Sequence, residues 1–129
     1  QMCIIHDLGE AFTGDIPTFY KTNADTEKEN ALLDQWVQTL PEETKLEFSG
    51  LLAEMNAMQT LEAKIYKALD KMEAVIQHDE SDIATWLPLE YDLQLRYGEE
   101  NVKFSPWFRE LKTEIDSWTR RKIAENPLT

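Results

Sequence analysis

Apolar residues in this chain recur at intervals of three and four, and few glycines or prolines interrupt them. The 129 residues contain four Gly and five Pro. Such spacing is typical of amphipathic helices that pack one apolar face on a core. We therefore predict an all-α fold, with residues 1–129 forming one domain, a bundle of about five or six helices. One stripe between Asp25 and Leu40 comprises Leu32, Leu33, Trp36, Val37 and Leu40.

Cap residues, Pro and Gly predict where the helices begin and end. Thr26 and Glu29 have the spacing of a capping box at the start of the first long helix. A second helix is predicted from Pro41 to Met58, although Gly50 lies inside it. A third is predicted from Thr60 to Gln77. The third helix would bury the stripe Leu61, Ile65, Leu69, Met72 and Ile76.

The last third of the chain predicts two further helical segments. Residues 81–98 indicate a broken helix that starts or kinks near Pro88 and stops at Gly98. A final amphipathic helix follows, and Ser105 has the position of its N-cap.

The balance of charge excludes several kinds of partner. Thirteen Lys and Arg stand against 25 Asp and Glu, so the formal net charge is −12 and the sequence pI is near 4.5. We expect neither nucleic acid nor an anionic membrane as a partner. No apolar run approaches the roughly 20 residues that span a bilayer, so we expect a soluble, cytoplasmic protein. The chain opens on Gln1 without an initiator Met, which indicates a fragment of a longer protein.

Ionisable residues are concentrated in the segment HDLGEAFTGDIP, residues 6–17. Neighbouring residues on a helix point about 100° apart. His6 and Asp7 can therefore bind the same ion only if it lies between this helix and others that pack against it. Imidazole nitrogen with carboxylate oxygen suits a divalent transition metal better than calcium. If the helix continues, Glu10 lies one turn further on, where an acid or base would act. The alternative is a core histidine whose hydrogen bonds are satisfied.

Two segments, HDLGEAFTGDIPTFYK and EAKIYKALDKMEAVIQ, resemble the HD-domain metal-dependent phosphohydrolases, in the branch that contains the bacterial 5′-deoxynucleotidases. In that family a His on an earlier helix, the His-Asp doublet and a later Asp hold the metal. The last three match His6, Asp7 and Asp70, which implies a divalent ion: Mn, Co, Fe, Zn or Mg. The local pattern alone favours another role for Asp70, that of a half-exposed carboxylate in a helix contact, and the presence of the doublet reverses that preference.

The same resemblance implies roles for other residues of these segments. Glu10 would assist the attacking water, and Asp15 would orient the substrate or act as an acid. Lys67, one turn before Asp70, could reach a phosphate, and its alternative is a solvated helix lysine. Residues 13–17 also suit an ordinary turn. The predicted substrate-pocket residues are Thr13, Pro17 and Lys21.

One feature of the family pattern has no counterpart here. The chain begins five residues before His6, so the family's first metal histidine is not matched. The only other histidine, His78, lies about two turns beyond Asp70 and is predicted to be a surface residue. The resemblance therefore implies an HD-type fold that is truncated at its amino end.

Three functions stay open at this stage. The first is hydrolysis of nucleoside 5′-monophosphates to nucleoside and phosphate. The second is a non-catalytic helical scaffold. The third is hydrolysis of another phosphorylated small molecule. A site with two metal ions is disfavoured for the third function, because the chain has only two histidines to serve as ligands. If an early helix is missing, the apolar face that it normally covers would be exposed. We therefore predict self-association to a homodimer or larger homo-oligomer. The aromatic residues that would serve assembly are Trp86, Tyr91, Trp107 and Trp118.

Overall fold

Every regular element that the computed structural model describes, over residues 1–17 and 20–126, is helical, which confirms the predicted all-α fold. No helix in that part of the chain combines the length and the apolar character needed to cross a membrane. The helices are α1 (Met2–Ile5), α2 (Glu10–Thr13), α3 (Asn23–Gln38), α4 (Glu42–Ala57), α5 (Leu61–Glu80), a 3-10 helix (Ile83–Thr85), α6 (Glu90–Arg96), α7 (Glu99–Val102) and α8 (Pro106–Glu125).

The chain divides into two compact units, which are described separately. The first unit is Gln1–Ala63 and the second begins at Lys64. Helices α1 to α4 belong to the first, α5 begins at its end, and α6 to α8 belong to the second. The single domain over residues 1–129 stays a prediction.

Aromatic side chains connect the helices of the first unit. The Phe12 and Trp36 rings lie 6.2 Å apart between centroids, and Trp36 meets Phe48 edge-on at 6.0 Å. These contacts join α2, α3 and α4. Leu33 and Val37 are buried on α3, so the stripe predicted there does face a core.

The long helices of the first unit begin close to the predicted positions, with one correction at a cap. The Asp25 amide donates to Thr22 Oγ1 at 3.3 Å and the Thr22 amide donates to Asp25 Oδ2 at 2.9 Å, forming a reciprocal capping box. The box predicted at Thr26 and Glu29 is therefore wrong, because α3 starts before it. Helix α4 runs through Gly50 without a break, as predicted.

The core of the second unit is formed by α5, α7 and α8. Ser105 Oγ accepts a hydrogen bond from the Phe108 amide at 3.4 Å, so the predicted N-cap of α8 is confirmed. The broken helix near Pro88 is also confirmed, because α6 begins at Glu90 and Gly98 follows it with φ of 73°. The core residues are Ala68, Met72, Val75, Val102, Phe108 and Ile115.

The stripe predicted to be buried on α5 is only partly so. Leu61 and Leu69 are 59% and 41% exposed, whereas Met72 is buried as expected. The buried side instead follows the set Ala68, Met72, Val75 and Asp79, which has the same three- and four-residue spacing but lies one position before Leu69 and Ile76. The sequence pattern of large apolar residues did not predict this buried side, because Ala68 is small and Asp79 is polar.

A buried carboxylate joins α5 to α8. Asp79 is almost fully buried and accepts hydrogen bonds from Thr119 Oγ1 at 2.8 and 3.0 Å. Burial raises the pKa of Asp79 above its ordinary value, and the bonds from Thr119 and Gln94 oppose that increase. Lys122 donates to the Asp79 carbonyl at 2.6 Å, so it also closes the carboxyl end of α5.

Gly98 occupies a position that other residues tolerate poorly. Its φ of 73° is left-handed, and an added Cβ would lie 2.7 Å from Met72 Cε and 2.8 Å from Lys71 Cβ. We predict that Gly98→Ala lowers the free energy of unfolding by about 1–3 kcal/mol in urea titrations. The matched control is Gly50→Ala, where the added methyl meets open space inside α4. That change should raise stability by up to about 1 kcal/mol, and equal effects of both would contradict this account.

Candidate functional site

The predicted His-Asp doublet lies in a tightened helical turn between α1 and α2. His6 ends α1 with φ −60° and ψ −31°, and Gly9 precedes α2 with nearly the same angles, φ −59° and ψ −32°. The Glu10 amide donates to the Asp7 carbonyl at 3.0 Å, a three-residue spacing characteristic of 3-10 geometry. Helix α1 thus does not continue as an α-helix to Glu10; hydrogen-bonded turns at residues 6–9 connect the doublet to α2.

The His6 ring is held by the backbone of its own turn. Its Nδ1 lies 2.7 Å from the Cys3 carbonyl oxygen. A carbonyl only accepts, so Nδ1 carries the hydrogen and donates it. Metal-binding histidines commonly donate their second ring nitrogen to a carbonyl in this way, which sets the ring orientation and the tautomer.

The other ring nitrogen faces the neighbouring carboxylate. His6 Nε2 and Asp7 Oδ2 are 3.0 Å apart. In the neutral ring both atoms carry lone pairs, so this approach requires either a proton or a shared cation between them. Two ligand atoms about 2.1 Å from one ion, at tetrahedral or octahedral angles, are about 3.0–3.5 Å apart. The pair therefore fits two positions of a divalent transition-metal site, and it also fits an ion pair with a charged imidazole.

Asp70 lies on α5, in the second unit, and two lysines surround its carboxylate. Lys67 Nζ is 2.9 Å from Asp70 Oδ2 and Lys71 Nζ is 3.9 Å from the same oxygen. Within residues 1–17 and 20–126, no group of three or more His, Cys, Asp or Glu is arranged to hold a metal ion. Asp70 consequently stays a predicted ligand.

The predicted phosphate residue Lys67 is engaged by this carboxylate. Burial alone lowers the pKa of Lys67, but the hydrogen bond and the negative charge of Asp70 outweigh it and leave the pKa above its ordinary value. The ammonium also lies 5.8 Å from the centroid of the Tyr66 ring. Lys67 is thus a charged, partly buried side chain, and the alternative of a freely solvated lysine does not describe it.

Negative charge accumulates around Glu10. Burial raises the pKa of Glu10 above its ordinary value, and the charges of Asp7 and Asp15 raise it further. Glu29 adds to this increase, while Lys21 opposes it. A carboxyl group whose pKa is shifted toward neutrality is better suited to exchange protons than an ordinary surface glutamate.

Helix α2 ends at Gly14, and residues 14–17 have no regular secondary structure. Gly14 has φ of 76° and its amide donates to the Glu10 carbonyl at 2.8 Å. Thr13 is half-buried, and its hydroxyl donates to the Gly14 carbonyl at 3.2 Å. Asp15 and Pro17 are exposed. Residues 18 and 19 of this segment lie outside the described residues.

Sequence reasoning missed the partner of Lys21. Lys21 Nζ lies 2.7 Å from Glu29 Oε2, and both side chains are mostly shielded from solvent. Glu29 was predicted only as part of a helix cap. Gly9, the small residue next to Glu10, was the available signal, because its missing side chain leaves room for Glu29.

His78 is more than a surface residue, contrary to the prediction. Its ring stacks on Trp86 at 4.1 Å, and Nδ1 donates to Gln94 Oε1 at 3.0 Å. Its Nε2 lies 3.4 Å from Glu90 Oε2. These contacts join α5 to α6, so His78 has a structural role within the second unit.

Comparison with known proteins identifies the family. A family model described as HD domain matches residues 1–112. The chain belongs to the HD-domain family. This HD-domain chain is 30% identical to the 5′-deoxynucleotidase HDDC2 of Xenopus laevis over 132 residues, which cover 100% of the chain and 65% of that protein. It is 28% identical to the proteins of the same name from Bos taurus and Homo sapiens, over 96% of the chain and 61% of each.

The HD-domain chain thus spans less than two thirds of the length of these curated relatives. No solved structure matches it significantly.

The charge around Glu10 makes its titration a test of the site geometry. Asp7→Asn removes a negative charge, so we predict a lower pKa for Glu10 in NMR titration of the side-chain carboxyl carbon. Asp34→Asn, an exposed change on α3, should leave that pKa unaltered. Because the folded pKa is raised, the stabilisation from protonated Glu10 is present below its ordinary pKa and is lost as pH rises through the raised value. An unchanged Glu10 pKa in Asp7→Asn would contradict the arrangement.

Proposed function

We propose that this HD-domain chain is a metal-dependent phosphohydrolase that converts nucleoside 5′-monophosphates to nucleosides and inorganic phosphate. The observation that carries the proposal is the 3.0 Å approach of His6 Nε2 to Asp7 Oδ2, with the ring anchored through Nδ1. Membership of the HD-domain family supports it. The substrate class rests on relatives whose printed name is 5′-deoxynucleotidase.

His6, Asp7 and Asp70 would hold the metal, a divalent Mn, Co, Fe, Zn or Mg ion. When bound, such an ion polarises a phosphoryl oxygen and lowers the pKa of water. The chain's own contribution is orientation, because the bond from His6 Nδ1 to the Cys3 carbonyl limits rotation of the ring before any ligand arrives. A site prepared in this way loses less conformational entropy on binding.

Two carboxyl groups near the doublet would handle protons and substrate. Glu10 has a raised pKa and begins the helix that follows the doublet, so it can accept a proton from the attacking water. Asp15 is exposed beyond the turn at Gly14 and would orient the substrate or return a proton to the leaving group. Thr13, Pro17 and Lys21 would line the pocket.

Lys67 would respond to the binding of a cation at Asp70. At present its ammonium is 2.9 Å from the Asp70 carboxylate. A metal ion at that carboxylate would compete with the ammonium, since both are cations attracted by the same oxygen. Lys67 would then be able to turn toward a substrate phosphate, which is the role proposed for it.

A non-catalytic scaffold is the second candidate. Its support is the lysine pairing of Asp70 and the 60% exposure of Trp107 on α8. A large exposed aromatic residue is consistent with the proposed homo-oligomer, which sedimentation velocity would detect as a species larger than the monomer. Hydrolysis of another phosphorylated small molecule is the third candidate. For all three candidate functions we propose that the protein is located in the cytoplasm.

The test is phosphate release from a panel of nucleoside 5′-monophosphates in the presence of Mn or Co. We predict release by the unaltered chain and a loss of about 100-fold or more in Asp7→Ala, because a metal ligand is removed. Asp34→Ala, on the exposed side of α3, should retain the activity.

Absence of release from the unaltered chain, or equal release from Asp7→Ala, would refute the proposed function. Circular dichroism of each variant shows whether the helical fold persists, so that a loss of activity is not confused with unfolding.

A further inference from the structure

The Glu29 side chain binds Lys21 and occupies the space where a side chain on Gly9 would lie. Oε2 lies 2.7 Å from Lys21 Nζ. Oε1 faces Gly9, where a Cβ placed on that residue would be 3.0 Å from Oε1 and only 2.6 Å from Glu29 Cγ. The Glu29 side chain therefore packs next to the backbone of Gly9, directly before Glu10, while its Oε2 binds Lys21.

Both members of this pair are shielded from water. The side chains of Lys21 and Glu29 retain 25% and 13% of their accessible surface. Exposed ion pairs contribute little because solvent screens them and both side chains are mobile. The pair of Lys21 and Glu29 is shielded and packs against the backbone of Gly9, so it is less mobile than an exposed ion pair. The Lys21 ammonium therefore has a defined position.

That position matters because the surrounding charge is negative. Burial raises the pKa of Glu10, and the negative charges of Asp7 and Asp15 near it raise that pKa further. A phosphate dianion approaching such a cluster is repelled unless a cation meets it. Lys21 can be that cation, since an ammonium has three N–H donors and a single contact with Glu29 occupies one of them.

We propose that Glu29 is a positioning residue: it holds the Lys21 ammonium beside Gly9 and Glu10, where the ammonium binds the substrate phosphate. This inference rests on the proposed function for its substrate but not for its geometry. Glu29 touches no reacting atom and acts through Lys21 alone. Gly9 is part of the device, because any larger residue there would displace Glu29.

The state of charge of Lys21 is consistent with this role. Its hydrogen bond to Glu29 raises the pKa of Lys21 above the ordinary value, against the opposing effect of burial. Negative charge on Glu10 and Asp7 adds to the increase. The ammonium thus stays protonated throughout the neutral range in which a phosphomonoester is a dianion.

Steady-state kinetics of Glu29→Gln, Lys21→Met and the double variant test the proposal. Each single change should raise KM for a nucleoside 5′-monophosphate about tenfold with kcat within about twofold, because a fixed phosphate contact is weakened. In the Lys21→Met background, Glu29→Gln should add nothing, since Glu29 acts only through Lys21. Lys21→Arg, which keeps the charge, should recover part of the loss.

Gly9→Ala provides an independent variant, because the added methyl pushes Glu29 away while leaving both charges in place. It should raise KM in the same way. Additive effects of the two single changes, or a fall in kcat with KM unaltered, would show a general structural role and overturn the proposal.

Binding of inorganic phosphate, followed by titration calorimetry without turnover, separates this inference from the proposed function. The dissociation constant should rise about tenfold in Glu29→Gln and in Lys21→Met, whether or not the chain releases phosphate from nucleotides. If the unaltered chain binds no phosphate, or all variants bind it equally, the positioning role is wrong even where catalysis is found. Weakened binding together with no catalysis would support the positioning role and refute only the proposed function.

Discussion

The hydrogen bond from His6 Nδ1 to the Cys3 carbonyl is the interaction on which the candidate site depends. It assigns the ring tautomer, directs Nε2 toward Asp7 Oδ2 at 3.0 Å, and uses an acceptor from the short helix that precedes the doublet. That helix is held in place because Met2 and Ile5 are buried in the first unit. Orientation of the doublet therefore follows from burial of the apolar residues beside it.

Charge imposes the second constraint on the first unit. The chain carries a formal charge of −12, and four carboxylates lie at or near the doublet. Such a cluster favours a bound cation and raises the pKa of Glu10, but it also repels a phosphorylated substrate. The Lys21 and Glu29 pair relieves that conflict by keeping one positive charge at the cluster. Gly9 makes the pair sterically feasible, because a side chain at that position would collide with Glu29. The position of the positive charge on Lys21 therefore depends on the absence of a side chain at Gly9.

Helical spacing and cap residues were sufficient to predict the fold class, the break near Pro88 and the cap at Ser105. They failed on α5, where the buried side contains Ala68 and Asp79 and so does not look apolar by residue size. For the site, the local pattern placed Glu10 one turn after the doublet only on the condition of a continuous helix, whereas turns separate α1 from α2. The family resemblance supplied the roles of the other residues. Neither could reveal Glu29 as the partner of Lys21, because a contact between a turn and a later helix depends on tertiary packing, not on local spacing.

Titration of the purified chain with Mn²⁺, followed by calorimetry, tests the central proposal that His6 and Asp7 bind one divalent ion, with Asp70 as the third predicted ligand. We predict one site per chain and a loss of affinity of about 10-fold or more in both Asp7→Ala and Asp70→Ala, with Asp34→Ala unaffected. Unaltered Mn²⁺ binding by Asp70→Ala, or no binding by the starting chain, would contradict the claim.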